Sequence, residues 1–248
     1  MPTSATEMKV SVIIPAYNEE RLIGQTLEQV RGAMSAFDHA GWMSELIVCD
    51  NNSTDRTAEL ARQAGASVVF EPINQIARAR NSGAAAASGD WFIFVDADSQ
   101  PSLGLFQEVI DSIQCGRCVA GGSTIRLDNE SPVGSRCIRV WNWLSRSFGL
   151  LAGSFIFCEA AAFRKIGGFN QELFASEELD LTRGLKRVAR QTRKKLVILH
   201  RNPLVTSARK FHLYTFREYM SFLTRTLLSG GRTLKNRASC DHWYDGRR

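Results

Sequence analysis

Long apolar runs are missing from this chain. The longest uncharged stretch, "SFGLLAGSFIFC" (147–158), stops at twelve residues and carries two glycines, whereas a membrane-spanning helix needs about twenty apolar residues. The opening "MPTSATEMKV" passes from a polar tail straight into a strand-like run with no charged-then-apolar leader. The expectation is therefore a cytoplasmic protein without a signal peptide, at most peripheral at the inner face of a membrane. Cysteine is sparse and scattered: Cys49, Cys115, Cys118, Cys137, Cys158 and Cys240 lie mostly in apolar segments, which argues against a disulfide framework. Cys115 and Cys118 form a CxxC, but no second pair stands at zinc-site spacing. No internal repeat, low-complexity tract or nucleic-acid motif of interleaved aromatic and basic residues is found, so no nucleic-acid partner is expected.

What is present is ordinary globular composition, 44% hydrophobic and 23% charged over 248 residues, with an uneven charge. Residues 183–248 hold 17 Lys or Arg against 3 Asp or Glu, a net of +14, which leaves residues 1–182 at −8. A basic tail of this kind attracts anionic surfaces or phosphorylated molecules through its long-range field.

The first hundred residues alternate short β-branched runs with helical segments. "KVSVIIPA", "ELIVCD", "SVVFE" and "WFIFVD" read as strands; helices are expected near 21–37, after Ser53 or Thr54 as N-cap, and over the alanine-rich "NQIARARNSGAAAASGD". Near-continuous apolar strands alternating with helices imply an α/β fold, a mostly parallel doubly wound sheet. Ligands of such sheets bind beyond the carboxyl ends of the strands. Further on, a helix is expected over 102–114, a loop from Gly121 and Gly122 through "LDNESPVGS", and a tryptophan-rich helix over "IRVWNWLSRSFGLL". A strand, short helix and turn should follow in "GSFIFCEAAAFRKIGGFN", then a helix in "ASEELDLTRGLKRVAR" and a last strand, "KKLVILH".

Asp96 and Asp98, in "WFIFVDADSQP", stand one residue apart at such a strand end. Two like charges so close are unfavourable unless a cation or donors offset them, and oxygen-only ligation suits Mg²⁺ or Mn²⁺ shared with phosphate oxygens. A loop opening before Pro101 is the plainer reading of the same pair.

Together "VSVIIPAYNEE", "IVCDNNSTDRT", "RARNSGAAAASGDWFIFVDADSQP" and "GGFNQELFASEELDLTRGLKR" resemble the family 2 glycosyltransferases, inverting enzymes on the GT-A (nucleotide-diphospho-sugar transferase) fold, over about residues 9–190. The resemblance implies a DXD motif in Asp96-Ala97-Asp98, with Asp98 on a divalent metal and Asp96 on the ribose and phosphate side. It implies Asp50 at the nucleotide base with Pro15, Tyr17 and Glu19 lining the same end, Arg80 as a nucleotide-side basic residue, and Glu178 of "SEE" as catalytic base. The donor would be a nucleotide-diphosphate sugar of UDP or GDP type, and the acceptor is unnamed, with a lipid-linked one among the candidates. The domains expected are a disordered or flexible 1–8, a catalytic unit over 9–205 whose nucleotide-binding half is about 9–100 and acceptor-side half about 101–205, and a basic amphipathic C-terminal extension over 206–248.

The departures are specific. The family's frequent "DDGS" reads "DNNS", so Asn51 replaces an acid, and Glu178 replaces the usual Asp. Glu177, Glu178 and Asp180 also read as the acidic first turn of a helix. No Q-x-x-R-W motif is found, so processive transfer is not expected. "FHLYTFREYMSFLTRTLLSGGRTLK" aligns Leu213, Phe216, Met220, Leu223 and Leu227 on one face, for packing or for a membrane surface. Arg209 and Lys210 are candidates to hold a diphosphate or phosphorylated acceptor, His200 a candidate third metal ligand or a satisfied strand-end histidine, and Trp141 and Trp143 core residues or contacts to sugar or lipid. Two other classes remain: a non-catalytic nucleotide-sugar or membrane-surface binding protein, and a sugar nucleotidyltransferase, whose glycine-rich N-terminal loop "PAYNEE" lacks.

Overall fold

The computed structural model describes residues 8–129, 132–208 and 232–240. Four strands, β1 (Lys9–Ala16), β2 (Met43–Asp50), β3 (Ser67–Phe70) and β4 (Trp91–Val95), lie parallel in the order β3-β2-β1-β4. Helices α1 (Ile23–His39), α2 (Thr57–Gln63) and α3 (Ile76–Ala86) connect them. This is the doubly wound half that the sequence leads one to expect.

Beyond β4 the sheet becomes mixed. It continues as β7 (Phe155–Glu159), β6 (Cys118–Leu127), β8 (Lys195–Thr206) and a two-residue β5 (Ser99–Gln100). β7 runs antiparallel to both neighbours, β6 and β8 are parallel, and β5 pairs antiparallel with the end of β8. The remaining helices are α4 (Leu103–Gln114), α5 (Pro132–Phe148), α6 (Ala160–Lys165) and α7 (Glu177–Thr192).

Alternation along β1 supplies both faces. Val10, Val12 and Ile14 pack with Leu27, Val30 and Phe37 of α1 and Phe106 of α4, whereas Ile13 packs on the other side among Phe92, Phe94, Phe163, Leu181 and Leu185. The two halves therefore share one sheet with an apolar layer on each face.

Two local expectations are corrected. Gly121 and Gly122 lie inside β6 rather than in a loop, because a Cβ on Gly121 would sit 2.4 Å from the Phe157 ring and 2.6 Å from the Val197 carbonyl. Glycine marks close approach of neighbouring strands here, not a break. Ser53 and Thr54 do not cap α2. The Ser53 hydroxyl instead accepts from the Asn18 N–H (3.0 Å), and the Thr54 N–H donates to Asn18 Oδ1 (2.8 Å), tying the β1 and β2 loops together.

Among the described residues no helix is long and apolar enough to cross a membrane. Arg209, Lys210 and the amphipathic stretch from Leu213 to Leu227 lie outside the described residues, as does the N-terminal segment 1–7. Residues 232–240 are two short 3-10 turns against the loop before α7: Phe174 N–H donates to the Leu234 carbonyl (2.7 Å), and Cys240 packs buried on Ala175.

Candidate active site

The carboxyl ends of β1, β2 and β4 converge as parallel-sheet topology requires. Pro15 is buried in β1 and Tyr17 half-exposed after it. Glu19, buried, starts α1 through its carbonyl, which accepts from Ile23 N–H (2.8 Å), while its own N–H donates to the Thr57 hydroxyl (2.8 Å). Asp50 ends β2 and accepts from the Ser53 N–H (3.0 Å).

Asn51 faces inward. Its amide donates to the carbonyls of Ile73 (2.7 Å) and Glu71 (3.3 Å), and its Oδ1 accepts from the Gln75 N–H (2.8 Å). All three bonds brace the segment leading into α3, and an aspartate could donate neither of the first two. The asparagine of "DNNS" is thus explained by its neighbours.

The Asp96-Ala97-Asp98 turn is held at every step. Asp96 N–H donates to the Ser154 carbonyl (3.2 Å), Ser99 N–H to the Asp96 carbonyl (3.0 Å), the Thr26 hydroxyl to the Ala97 carbonyl (2.7 Å) and Ser207 N–H to the Asp98 carbonyl (3.1 Å). Ala97 is buried beneath the turn, and Asp96 and Asp98 are half-buried at its rim.

Arg80 organises the interior of the site. Its side chain is 2% exposed, too little for a surface-facing cation, and its guanidinium donates to Glu177 Oε1 (2.5 Å), Asp96 Oδ1 (2.9 Å) and the Gly153 carbonyl (2.9 Å). It also lies over the Phe169 ring, 5.1 Å from the centroid. Burial works against its charge, but Asp96, Glu177 and Glu178 outweigh that and hold its pKa above the usual arginine value. One arginine thus joins the Asp96–Asp98 turn to the start of α7, reaching Glu177 across 97 residues of sequence.

α7 begins from Ser176, held left-handed at φ 61°. Such a conformation is costly for a non-glycine residue and clusters at functional sites. It separates the roles of the next two acids: Glu177 is buried on Arg80, whereas Glu178 keeps partial exposure. Desolvation first, and then the neighbouring charge of Glu177, push the Glu178 carboxyl up to about 8. Asp180 is half-buried and accepts from the Asn170 side chain (3.4 Å).

Gln75 gave no signal in the sequence. It is buried and donates to the carbonyls of Gln171 (2.7 Å) and Leu173 (2.9 Å), fastening the start of α3 to the loop before Ser176. His200 is not brought to the aspartates. It is exposed and lines a cavity with Thr124, Arg139, Trp143 and Arg146. Trp143 is 63% exposed rather than in the core, and Trp141 is half-buried.

Among the described residues no cluster of three or more His, Cys, Asp or Glu could hold a metal alone. Asp96 gives one oxygen to Arg80, so the protein side offers Asp98 and what remains of Asp96. That oxygen-only, incomplete set fits Mg²⁺ or Mn²⁺, which usually take water and substrate phosphate oxygens for the rest.

The chain is similar to known proteins in sequence and in fold. Over 124 residues the chain is 32% identical to a dolichol-phosphate mannosyltransferase of Pyrococcus furiosus, covering 47% of this chain and 33% of that one. The matches span a third to a half of the length of the first curated relatives. Among solved structures, the mannosyltransferase PcManGT from Pyrobaculum calidifontis, in complex with GDP-Man and Mn²⁺, superposes with a TM-score of 0.67 at 18% identity, covering 93% of this chain and 64% of that one. Glucosyl-3-phosphoglycerate synthase from Mycobacterium tuberculosis, with Mn²⁺, UDP and glucosyl-3-phosphoglycerate, gives 0.60 at 19% identity, covering 89% and 77%. The fold is therefore GT-A. The model of glycosyl transferase family 2 matches residues 11–164, more than half of the sequence, and the chain belongs to that family.

Proposed function

We propose that this chain transfers a sugar from a nucleotide-diphosphate donor, of UDP or GDP type, to an acceptor hydroxyl with inversion, Glu178 serving as the base. The observation that carries the reading is the Arg80 bridge. It ties Asp96 of the donor-side turn to Glu177, and so sets the adjacent Glu178 in fixed relation to that turn.

Of the two adjacent glutamates, Glu178 suits the base better. Glu177 is committed to Arg80, whereas Glu178 is partly exposed, and its raised pKa makes its carboxylate a stronger proton acceptor once ionised. In the transfer, the acceptor oxygen forms a bond to the anomeric carbon from the face opposite the leaving group. The carbon–oxygen bond to the diphosphate breaks with its electron pair leaving on the diphosphate, and the acceptor proton passes to Glu178. Asp98, with Asp96, would hold a divalent cation, which neutralises the departing diphosphate when bound. Asp50, Pro15, Tyr17 and Glu19 would line the nucleotide end; Arg80, Asn51, Ala97 and Glu177 would keep the wall in place from inside. Asp180 completes the proposed substrate side.

A lipid-linked acceptor with a free hydroxyl is the class to try first; a lipid phosphate, for which the Pyrococcus relative is named, would attack through an oxygen that is already ionised and would leave Glu178 without a proton to take. The test is thermal unfolding against UDP- and GDP-sugars with Mn²⁺, Mg²⁺ or EDTA, in wild type and Asp98→Ala. A metal-dependent rise for one nucleotide class, lost in the variant, supports the reading, because a ligand of the native state stabilises it. No rise with any donor at millimolar concentration overturns it in favour of a binding protein for some other ligand.

A further inference from the structure

A second cavity, of about 640 Å³, opens between α5 and the outer strands, away from the aspartates. It exists because β8 bulges: between the pairs Ser123↔Leu199 and Ile125↔Leu204, five residue steps on β8 face two on β6. The extra residues, including His200, stand out from the sheet and are held from below by the buried Glu108, which accepts from the Asn202 backbone and side-chain N–H groups (both 2.7 Å). Opposite them, α5 is pinned by Asn142, whose amide donates to the Ile125 carbonyl (2.9 Å) and accepts from the Ile125 N–H (3.0 Å). Both walls are fixed by buried or bidentate hydrogen bonds.

The lining is chemically one-sided. Arg139 and Arg146, seven residues apart and so on one helix face, enter it with His200 and Trp143. α5 contains no Asp or Glu at all. Neither arginine has a carboxylate partner among the described residues. At the cavity wall Thr124 is 5% exposed, and its hydroxyl is buried with no hydrogen-bond partner among the described residues. A buried hydroxyl left unmatched is costly and uncommon. Guanidinium groups, imidazole N–H and a free hydroxyl are the donor set that phosphate oxygens accept from.

We infer that the cavity between α5 and the β8 bulge binds a phosphate ester through Arg139, Arg146, His200 and the Thr124 hydroxyl. The ester can belong to a lipid headgroup or to a soluble molecule. Val140, Trp143 and Phe148, exposed on the same helix, give a lipid headgroup an apolar surface beside its phosphate.

The experiment reads Trp143 emission in the full chain, as the difference from Trp143→Phe, during titration with two kinds of probe. Inorganic phosphate and glycerol phosphate represent the soluble source; phosphatidylcholine vesicles with and without phosphatidylglycerol represent the headgroup. Saturable change with at least one probe is expected. Affinity for it should fall about thirtyfold in Arg139→Ser/Arg146→Ser and about tenfold in Thr124→Val, which keeps the side-chain shape. Response to phosphatidylglycerol vesicles alone assigns the headgroup, and response to the small phosphates alone the soluble ester. Asp98→Ala, which removes donor binding under the proposed function, should leave this signal intact, so the two readings fail separately. No change with any probe, or unaltered affinity in the double arginine variant, overturns the inference.

Discussion

Arg80→Met tests whether the site is assembled by one buried cation. Methionine retains the unbranched stem against Phe169 but removes the charge and the three hydrogen bonds to Glu177, Asp96 and Gly153. Two carboxylates, one of them fully enclosed, are then left without their counter-ion. Removing one partner of a buried ion pair costs about 3 to 5 kcal/mol, which at this chain length lowers the melting temperature by roughly 10 °C. Urea unfolding of Arg80→Met, Glu177→Gln and the double variant measures the coupling. Glu177→Gln should recover a large part of the loss, with a coupling energy of about 1.5 kcal/mol or more. A loss below about 1 kcal/mol, or strict additivity of the two changes, would refute the argument that Arg80 is the organising charge.

Three more predictions concern single positions. Glu178→Gln should abolish most transfer activity. Because the folded-state pKa of Glu178 is raised from 4.5 to about 8, the folded protein retains a proton that the unfolded chain releases. Wild-type stability therefore falls relative to Glu178→Gln as pH rises from 4.5 to 8. Matched denaturation curves should coincide below pH 4.5 and differ by on the order of 5 kcal/mol above pH 8. For the same reason wild-type kcat/KM should climb with pH and level off above about 8; a profile flat from pH 6 to 9 would remove Glu178 as the base. Asn51→Asp, which restores the family's more frequent acid, should destabilise by about 3 kcal/mol because two carbonyls lose their donor, and urea midpoints would show it. Gly121→Ala should cost about 2 kcal/mol through its clash with Phe157, and a smaller truncation at Phe157 should relieve part of that cost.

The parallel part of the sheet, within residues 9–100, was legible because its signals are local. Apolar runs of strand length, polar residues after each, and helix-length spacers leave few topologies open, and Asp50, Asp96 and Asp98 fell at strand ends accordingly. The mixed part of the sheet beyond β4 was less legible. A glycine pair packed closely inside β6, Gly121 against the Phe157 ring and Gly122 against the Phe155 carbonyl, imitates a turn, and the two-residue β5 is too short to carry a pattern. An antiparallel β7 between β4 and β6 leaves no mark in its own composition.

What the sequence determined by itself is the order of elements and the chemical types at the strand ends, since both rest on periodicity and spacing within a few residues. Tertiary structure decided which of those groups meet. Arg80, expected as a nucleotide-side basic residue, is the buried link between Asp96 and Glu177, Asn51 looked like a lost acid and became a brace, and Glu177 and Glu178, identical in type, parted into counter-ion and candidate base. Each outcome depends on the dielectric and the partners that distant segments impose, and neither is written in neighbouring residues.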